Sequence, residues 1–131
     1  MRLKKKNEML TEVELEFMSK LWELGGGTVR EVLDALPRDR PLAYTSGATI
    51  LRILKQKQFV TSTKQGKTFS YTAALTKDSY QSRSLRNLSE KLFDNTPVSL
   101  VARLVDDNNL SQEALDEIRA LLDRRLGNDN G

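Results

Sequence analysis

The sequence predicts a mainly α fold of the α+β class: three short helices closed by a β-hairpin, then a purely helical tail. Three observations carry this. Thr11-Glu12-Val13-Glu14 and Thr28-Val29-Arg30-Glu31 are both capping boxes, which mark helix starts close together in the chain. The hydrophobic period switches from helical to alternating across Phe59–Thr72. From residue 76 onward, every apolar run has helical spacing again.

The first helix is expected from Thr11 to about Leu24, with Leu10 and Leu15 as its staple and Leu15, Met18, Leu21 and Trp22 buried along one stripe. Gly25-Gly26-Gly27 stops it. The second box opens a short helix through Val32, Leu33 and Leu36 that ends at Pro37, and Pro37 to Pro41 reads as a turn. Thr45 or Ser46 is placed to cap a third helix reaching about Lys57, with Gly47, Ile50, Leu51 and Leu54 on one face. Thr45, Thr49, Arg52 and Gln56 share the opposite face. Gly47 on the inner face costs about 1 kcal/mol in helix propensity relative to Ala.

Phe59-Val60-Thr61-Ser62-Thr63 and Thr68-Phe69-Ser70-Tyr71-Thr72 then read as two strands around a basic tip, Lys64-Gln65-Gly66-Lys67. Phe17, Trp22, Phe59 and Phe69 are assigned to the core. Thr76 caps a fourth helix, stapled by Leu75 and Tyr80, that runs past Leu85, Leu88 and Leu92. Pro97 can open a fifth, and Ser111 starts a sixth through Ile118, Leu122 and Leu126. Residues 127–131 are polar and expected to be a disordered tail.

Composition removes several classes of chemistry. Cysteine and histidine are absent from the 131 residues, so disulfides, thiol nucleophiles, imidazole acid–base catalysis and the usual zinc sites are excluded. No Gly-rich phosphate loop or Gly-x-Ser-x-Gly is present, and nothing supports an enzyme, a cofactor or a metal. The Asp106-Asp107 pair lacks the further oxygens of a calcium loop and reads as an interhelical loop. No apolar run is long enough to insert in a membrane, and Met1-Arg2-Leu3-Lys4-Lys5-Lys6 lacks the apolar stretch of a secretory signal, which makes a cytoplasmic location the expectation. The Lys4-Lys5-Lys6 run is read as a frayed basic terminus.

The net charge of +3 is unevenly spread. Residues 1–75 hold 13 Lys and Arg against 8 Asp and Glu; residues 76–131 hold 8 against 10. Arg40, Arg52, Lys55, Lys57, Lys64, Lys67 and Lys77 all lie in a segment, Arg40 to Lys77, that contains no acid. Such a surface suits phosphates. Three helices followed by a basic hairpin is the order of a winged helix-turn-helix. Residues 1–75 are therefore expected to be a DNA-binding domain. Residues 76–126 carry apolar stripes that so small a head cannot bury, and are expected to be a helical dimerisation region. Leu85, Leu88, Leu92, Val101, Leu104, Leu115, Ile118 and Leu122 would form its contacts.

Five runs, in this order, resemble the BlaI/MecI penicillinase-repressor family, which includes the CopY-type repressors. They are Leu10-Thr11-Glu12-Val13-Glu14-Leu15-Glu16, Leu21-Trp22-Glu23-Leu24, Thr28-Val29-Arg30-Glu31-Val32, Leu42-Ala43-Tyr44-Thr45 and Asp107-Asn108-Asn109-Leu110-Ser111-Gln112-Glu113. The resemblance covers nearly the whole chain. It implies a homodimeric repressor on double-stranded operator DNA, often at a β-lactamase or resistance operon, released when a membrane sensor-protease pathway leads to repressor cleavage. The sequence departs from the family in three ways. The Cys-rich metal site of the copper-responsive members is absent. Arg103-Leu104 stands where the β-lactam-responsive members carry the cleaved Asn-Phe bond, and Gln58 stands where many relatives have Gly.

Side-chain chemistry divides the candidate contacts. Thr45, Ser46, Thr49 and Arg52 suit base edges: threonine methyls meet thymine methyls, hydroxyls serve either base type, and arginine suits guanine O6 and N7. Tyr44, Lys55, Lys64, Gln65 and Lys67 suit phosphates, which position a protein without reading sequence. Two alternatives share the fold: a protein–protein adaptor, and a repressor that answers to a ligand or partner rather than to cleavage.

Overall fold

A computed structural model describes residues 9–39 and 41–130. The Lys4-Lys5-Lys6 run, Arg40 and Gly131 lie outside the described residues. In chain order the elements are α1 (Glu12–Leu24), β1 (Gly27–Thr28), α2 (Val29–Ala35), α3 (Tyr44–Gln56), β2 (Val60–Gln65), β3 (Thr68–Ala73), α4 (Lys77–Leu92), α5 (Pro97–Asp106) and α6 (Gln112–Asn130). The chain divides into two compact units, one ending at Leu85 and the other beginning at Arg86. They are called the head and the tail below.

Both capping boxes form. The Thr11 hydroxyl accepts from Glu14 N, and Glu14 Oε1 accepts from Thr11 N; Thr28 and Glu31 repeat the exchange. The buried stripe of α1 is Glu14, Phe17, Met18 and Leu21, rotated by one position from the expected one, so that Leu15 is exposed. The capping box and a distant partner together cause this. Glu14 reaches back to the helix start and is held against Lys57, whose Nζ lies 2.9 Å from both carboxylate oxygens. Burial pushes the Glu14 carboxyl up, but the Lys57 ammonium and the bonds from Thr11 outweigh it and hold the group below its ordinary value.

The glycine run does more than stop α1. Gly27 and Thr28 form a short strand against Tyr71 and Ser70, giving an antiparallel sheet of order β1-β3-β2. Gly26 sits at φ 127°, and a Cβ there would come within 3.1 Å of the Tyr71 carbonyl. β1 is too short to carry an alternating pattern, which is why the sequence reading missed it.

The core of the head gathers Phe17, Met18, Leu21, Val32, Leu51, Leu54 and Phe59, each at most 1% exposed. Gly47 lets α2 and α3 meet, since a Cβ there would lie 3.0 Å from Leu33 Cδ2. The propensity lost at Gly47 is the condition of that close crossing. α3 is capped by Ala43 without a side-chain bond, so Thr45 and Ser46 lie within its first turn rather than ahead of it. It ends in a Schellman turn: Gln58 N donates to the Lys55 carbonyl and Phe59 N to the Leu54 carbonyl, with Gln58 at φ 71°.

The first turns of α4 belong to the head. Tyr80 is 9% exposed, its ring meets Phe59 edge-on and Trp22 at a tilt, and its hydroxyl accepts from Leu10 N at 2.9 Å. Trp22 Nε1 donates to the Leu75 carbonyl, and the Arg83 guanidinium covers Phe59. The compact unit therefore ends at Leu85, beyond the boundary at residue 75 read from the sequence.

In the tail, Pro97 occupies the first turn of α5, and the Ser111 hydroxyl accepts from Ala114 N at the start of α6. α6 continues through Gly127 to Asn130 in place of the expected disordered end. One glycine costs about 1 kcal/mol in a helix, too little to end one that already has four turns behind it. Among the described residues, no helix is long and apolar enough to cross a membrane, and no cluster of acidic side chains could hold a metal ion.

Candidate nucleic-acid interface

α3 presents two unlike faces. Gly47, Leu51 and Leu54 are buried against the core; Thr45, Ser46, Arg52 and Lys55 are exposed, and Thr49 is half-buried between them. The burial of one face fixes the rotation of the helix and so the direction in which the other face looks. Thr49 Oγ1 donates to the Thr45 carbonyl at 3.0 Å. Its proton is thereby used within the helix, and the hydroxyl is left to accept from a base amino group. No acid stands in the first turn, and Tyr44, the first residue of the helix, is 43% exposed.

The wing corrects part of the sequence reading. Lys64 and Gln65 are the last residues of β2, paired with Phe69 and Thr68, and only Gly66 and Lys67 form the loop. Lys64 and Gln65 therefore project from opposite faces of the ribbon. Lys64 shares its face with Phe69, which is 47% exposed rather than in the core. The same face carries Val60 and Tyr71, both buried, nearer the base of the hairpin. Strand alternation was read correctly, but the ribbon runs out past the core before it reaches Phe69.

Lys57, one of the cations of the acid-free segment, has its ammonium bound to Glu14. The acid-free run is real along the chain but not in space at this one position. Arg30, by contrast, comes beside the start of α3. Its Cζ lies 5.4 Å from the centroid of the Tyr44 ring, at the exposed end of α3. In the sequence Arg30 is merely the third residue of a capping box; its partner lies across the helix-turn-helix turn, and no local signal identifies it.

The residues assigned to dimerisation are in the main open. Leu85, Leu88, Leu92, Val101, Leu104 and Leu122 are 41–70% exposed, while Leu115 and Ile118 are half-buried. Arg103 and Leu104 lie inside α5, with Arg103 3.7 Å from Asp107.

The model of the family described as "Penicillinase repressor" matches residues 10–124. The chain belongs to that family. Similar curated proteins include an uncharacterised 16.5 kDa protein of Latilactobacillus sakei, 29% identical over 88% of this chain and 79% of its own length. The methicillin resistance regulatory protein MecI of Staphylococcus aureus is 22% identical over 88% of this chain and 94% of its own length. Among solved structures, the DNA binding domain of the repressor BlaI superposes with a TM-score of 0.50 at 26% identity, covering 58% of this chain and 93% of that domain. The protein is thus a DNA-binding transcriptional repressor of the BlaI/MecI type with a winged-helix head, and not an enzyme.

Proposed function

We propose that this repressor binds an inverted-repeat operator as a homodimer, in the cytoplasm, with α3 in the major groove and the wing beside it. The observation that carries the reading is the two-faced α3: one side is held by the core, and the other exposes Thr45, Ser46 and Arg52 with no acid among them. Thr45, Ser46, Thr49 and Arg52 read base edges. Tyr44, Lys55, Lys64, Gln65 and Lys67 hold phosphates. The open apolar side chains of α4 to α6 pair two copies, so that the two recognition helices meet half-sites about one helical turn (roughly 34–36 Å) apart or a multiple of it.

The names of the relatives point to a resistance or penicillinase operon as the target. Repression would end when the tail no longer joins the two heads, through a sensor-protease pathway acting near Arg103-Leu104 or through remodelling of the dimer. Both residues of that bond lie in a helix, so scission would follow local unwinding of α5.

Mobility shift and anisotropy titrations with the duplex upstream of the gene test the reading. Thr49→Ala and Arg52→Ala should lose about 1–3 kcal/mol of discrimination between that duplex and a random one. Lys64→Ala and Lys67→Ala should weaken both duplexes alike and lower the salt slope by up to about one unit each. Wing variants that change specificity, with helix variants that do not, would reverse the two roles.

A further inference from the structure

We propose that Arg30 is a DNA-phosphate contact and the residue that positions Tyr44, so that the two act as one clasp at the DNA-facing end of α3. This rests on the docking of α3 argued above. The guanidinium of Arg30 lies over the Tyr44 ring, 5.4 Å from its centroid. Both residues are exposed, and they come from different helices, α2 and α3.

Two carboxylates on α2 were available to Arg30, and it pairs with neither. Glu31 is turned back to cap Thr28 N at 2.8 Å. Asp34 is four residues along, the usual spacing for an ion pair on a helix, yet no such pair forms among the described residues. Among the described residues, the charge of Arg30 is thus left without an ion-pair partner. It rests on a ring that cannot satisfy its N–H groups. A guanidinium held over a ring keeps its N–H donors free for a further partner, and its planar fork suits a phosphate. The contact also restricts the Tyr44 side chain, whose hydroxyl can then donate to the same DNA strand.

Because Arg30 leaves α2 and not the groove-facing side of α3, its contact should be with backbone and indifferent to sequence. The test uses the full-length protein with two fluorescent duplexes, the upstream intergenic DNA and a random sequence of equal length. Binding is titrated between about 50 and 200 mM salt. Arg30→Ala should weaken both duplexes by a similar factor, roughly three- to tenfold, and reduce the salt slope by about 0.9 for each phosphate released. Arg30→Lys should restore the slope but only part of the affinity, since the charge returns without the stacked fork. Arg30→Ala should also cost less in a Tyr44→Leu background than alone, because the two side chains act together.

A purely structural Arg30 would lower the melting temperature and leave the slope unchanged. An unchanged slope in Arg30→Ala, or a loss confined to the upstream duplex, overturns the inference. Thr49→Ala and Arg52→Ala serve as controls. If they lose discrimination while the Arg30→Ala slope stays put, only the clasp fails; if they too keep full discrimination, the docking of α3 fails with it.

Discussion

In the head, Phe17, Met18, Leu21, Val32, Leu51 and Leu54 are each at most 1% exposed, whereas in the tail Leu92, Val98, Leu104, Leu122 and Leu126 are between 54% and 75% exposed. Both regions are built from amphipathic helices. The difference is what their apolar faces meet. In the head, three helices and a sheet close on one another, and Tyr80, Trp22 and Arg83 seal the edge. In the tail, α5 and α6 keep large aliphatic side chains in water. Soluble monomers seldom leave large apolar patches open, and this many exposed aliphatic side chains would suit a partner surface. A helix is a local decision, but a core is a global one, and only the head has completed it within a single chain.

The largest expected effect comes from separating the two regions. A chain ending at Leu85 should stay folded, become monomeric, and bind an inverted-repeat operator about 10²–10⁴-fold more weakly, the avidity lost when two heads are no longer joined. A chain ending at Leu75 should do worse. It also loses Tyr80, with its bond to Leu10 N and its contacts with Phe59 and Trp22, and should be less stable by about 3–5 kcal/mol. Sedimentation and thermal denaturation of the two chains decide this. Equal melting temperatures would show that the head needs nothing beyond the wing, and a dimeric Leu85 chain would remove the tail from the account of avidity.

The next contrast is a single leucine in each region. Leu51→Ala, at a site with no exposure, should destabilise the head by about 2–5 kcal/mol. Leu122→Ala, at 58% exposure, should leave the melting of the head unchanged and instead raise the dissociation constant of the dimer. If Leu122→Ala changed neither melting nor dissociation, α6 would not lie in the interface.

The pair that ties α1 to the end of α3 should be visible in acid. The carboxyl of Glu14 titrates below its ordinary value of 4.5 in the folded chain, so its contribution to stability is complete above that value. It is lost as the pH falls through the lowered folded value, where the native state must take up a proton. Glu14→Gln keeps an oxygen for the capping box but gives Lys57 no charge to bind. It should cost about 1–3 kcal/mol at neutral pH, a cost that shrinks as the pH falls below the ordinary carboxyl value of 4.5. Urea denaturation midpoints at neutral and acid pH check this. A variant whose deficit persisted in acid would show that the loss is one of packing rather than charge.

What was legible in the sequence was local. Both capping boxes, the order of helices and hairpin, the proline at the start of α5 and the inner face of α3 depend on residues within a few positions of each other. The failures are matters of distance. Leu15 and Glu14 exchange places because Glu14 finds Lys57, far along the chain, and no helical pattern records that meeting. Phe69 has the alternation of a core residue but sits where the hairpin has outrun the core. β1 has two residues and no pattern. Arg30 acquires its partner only when α2 and α3 cross at Gly47. On α3, the exposed hydroxyls and arginine follow directly from its periodicity, whereas the Lys57–Glu14 pair and the Arg30–Tyr44 contact arise only from tertiary structure.

The smallest expected effect lies at the joint between α3 and the wing. Gln58 holds φ 71° in the Schellman turn, a conformation that costs an L side chain about 1–2 kcal/mol and costs glycine almost nothing. The turn itself depends on backbone bonds from Gln58 and Phe59, and the Gln58 side chain is exposed. Gln58→Gly should therefore keep the turn and relieve the strain. Part of the gain is offset by the greater freedom of glycine in the unfolded chain, which leaves a net stabilisation of about 0.5–1 kcal/mol. Because the residue lies in the head, the rise in melting temperature should appear equally in the full chain and in the chain ending at Leu85. The dissociation constant of the dimer should not move. A loss of stability would mean that the Gln58 side chain holds something the exposed position does not suggest, and a gain seen only in the full chain would place the strain outside the head.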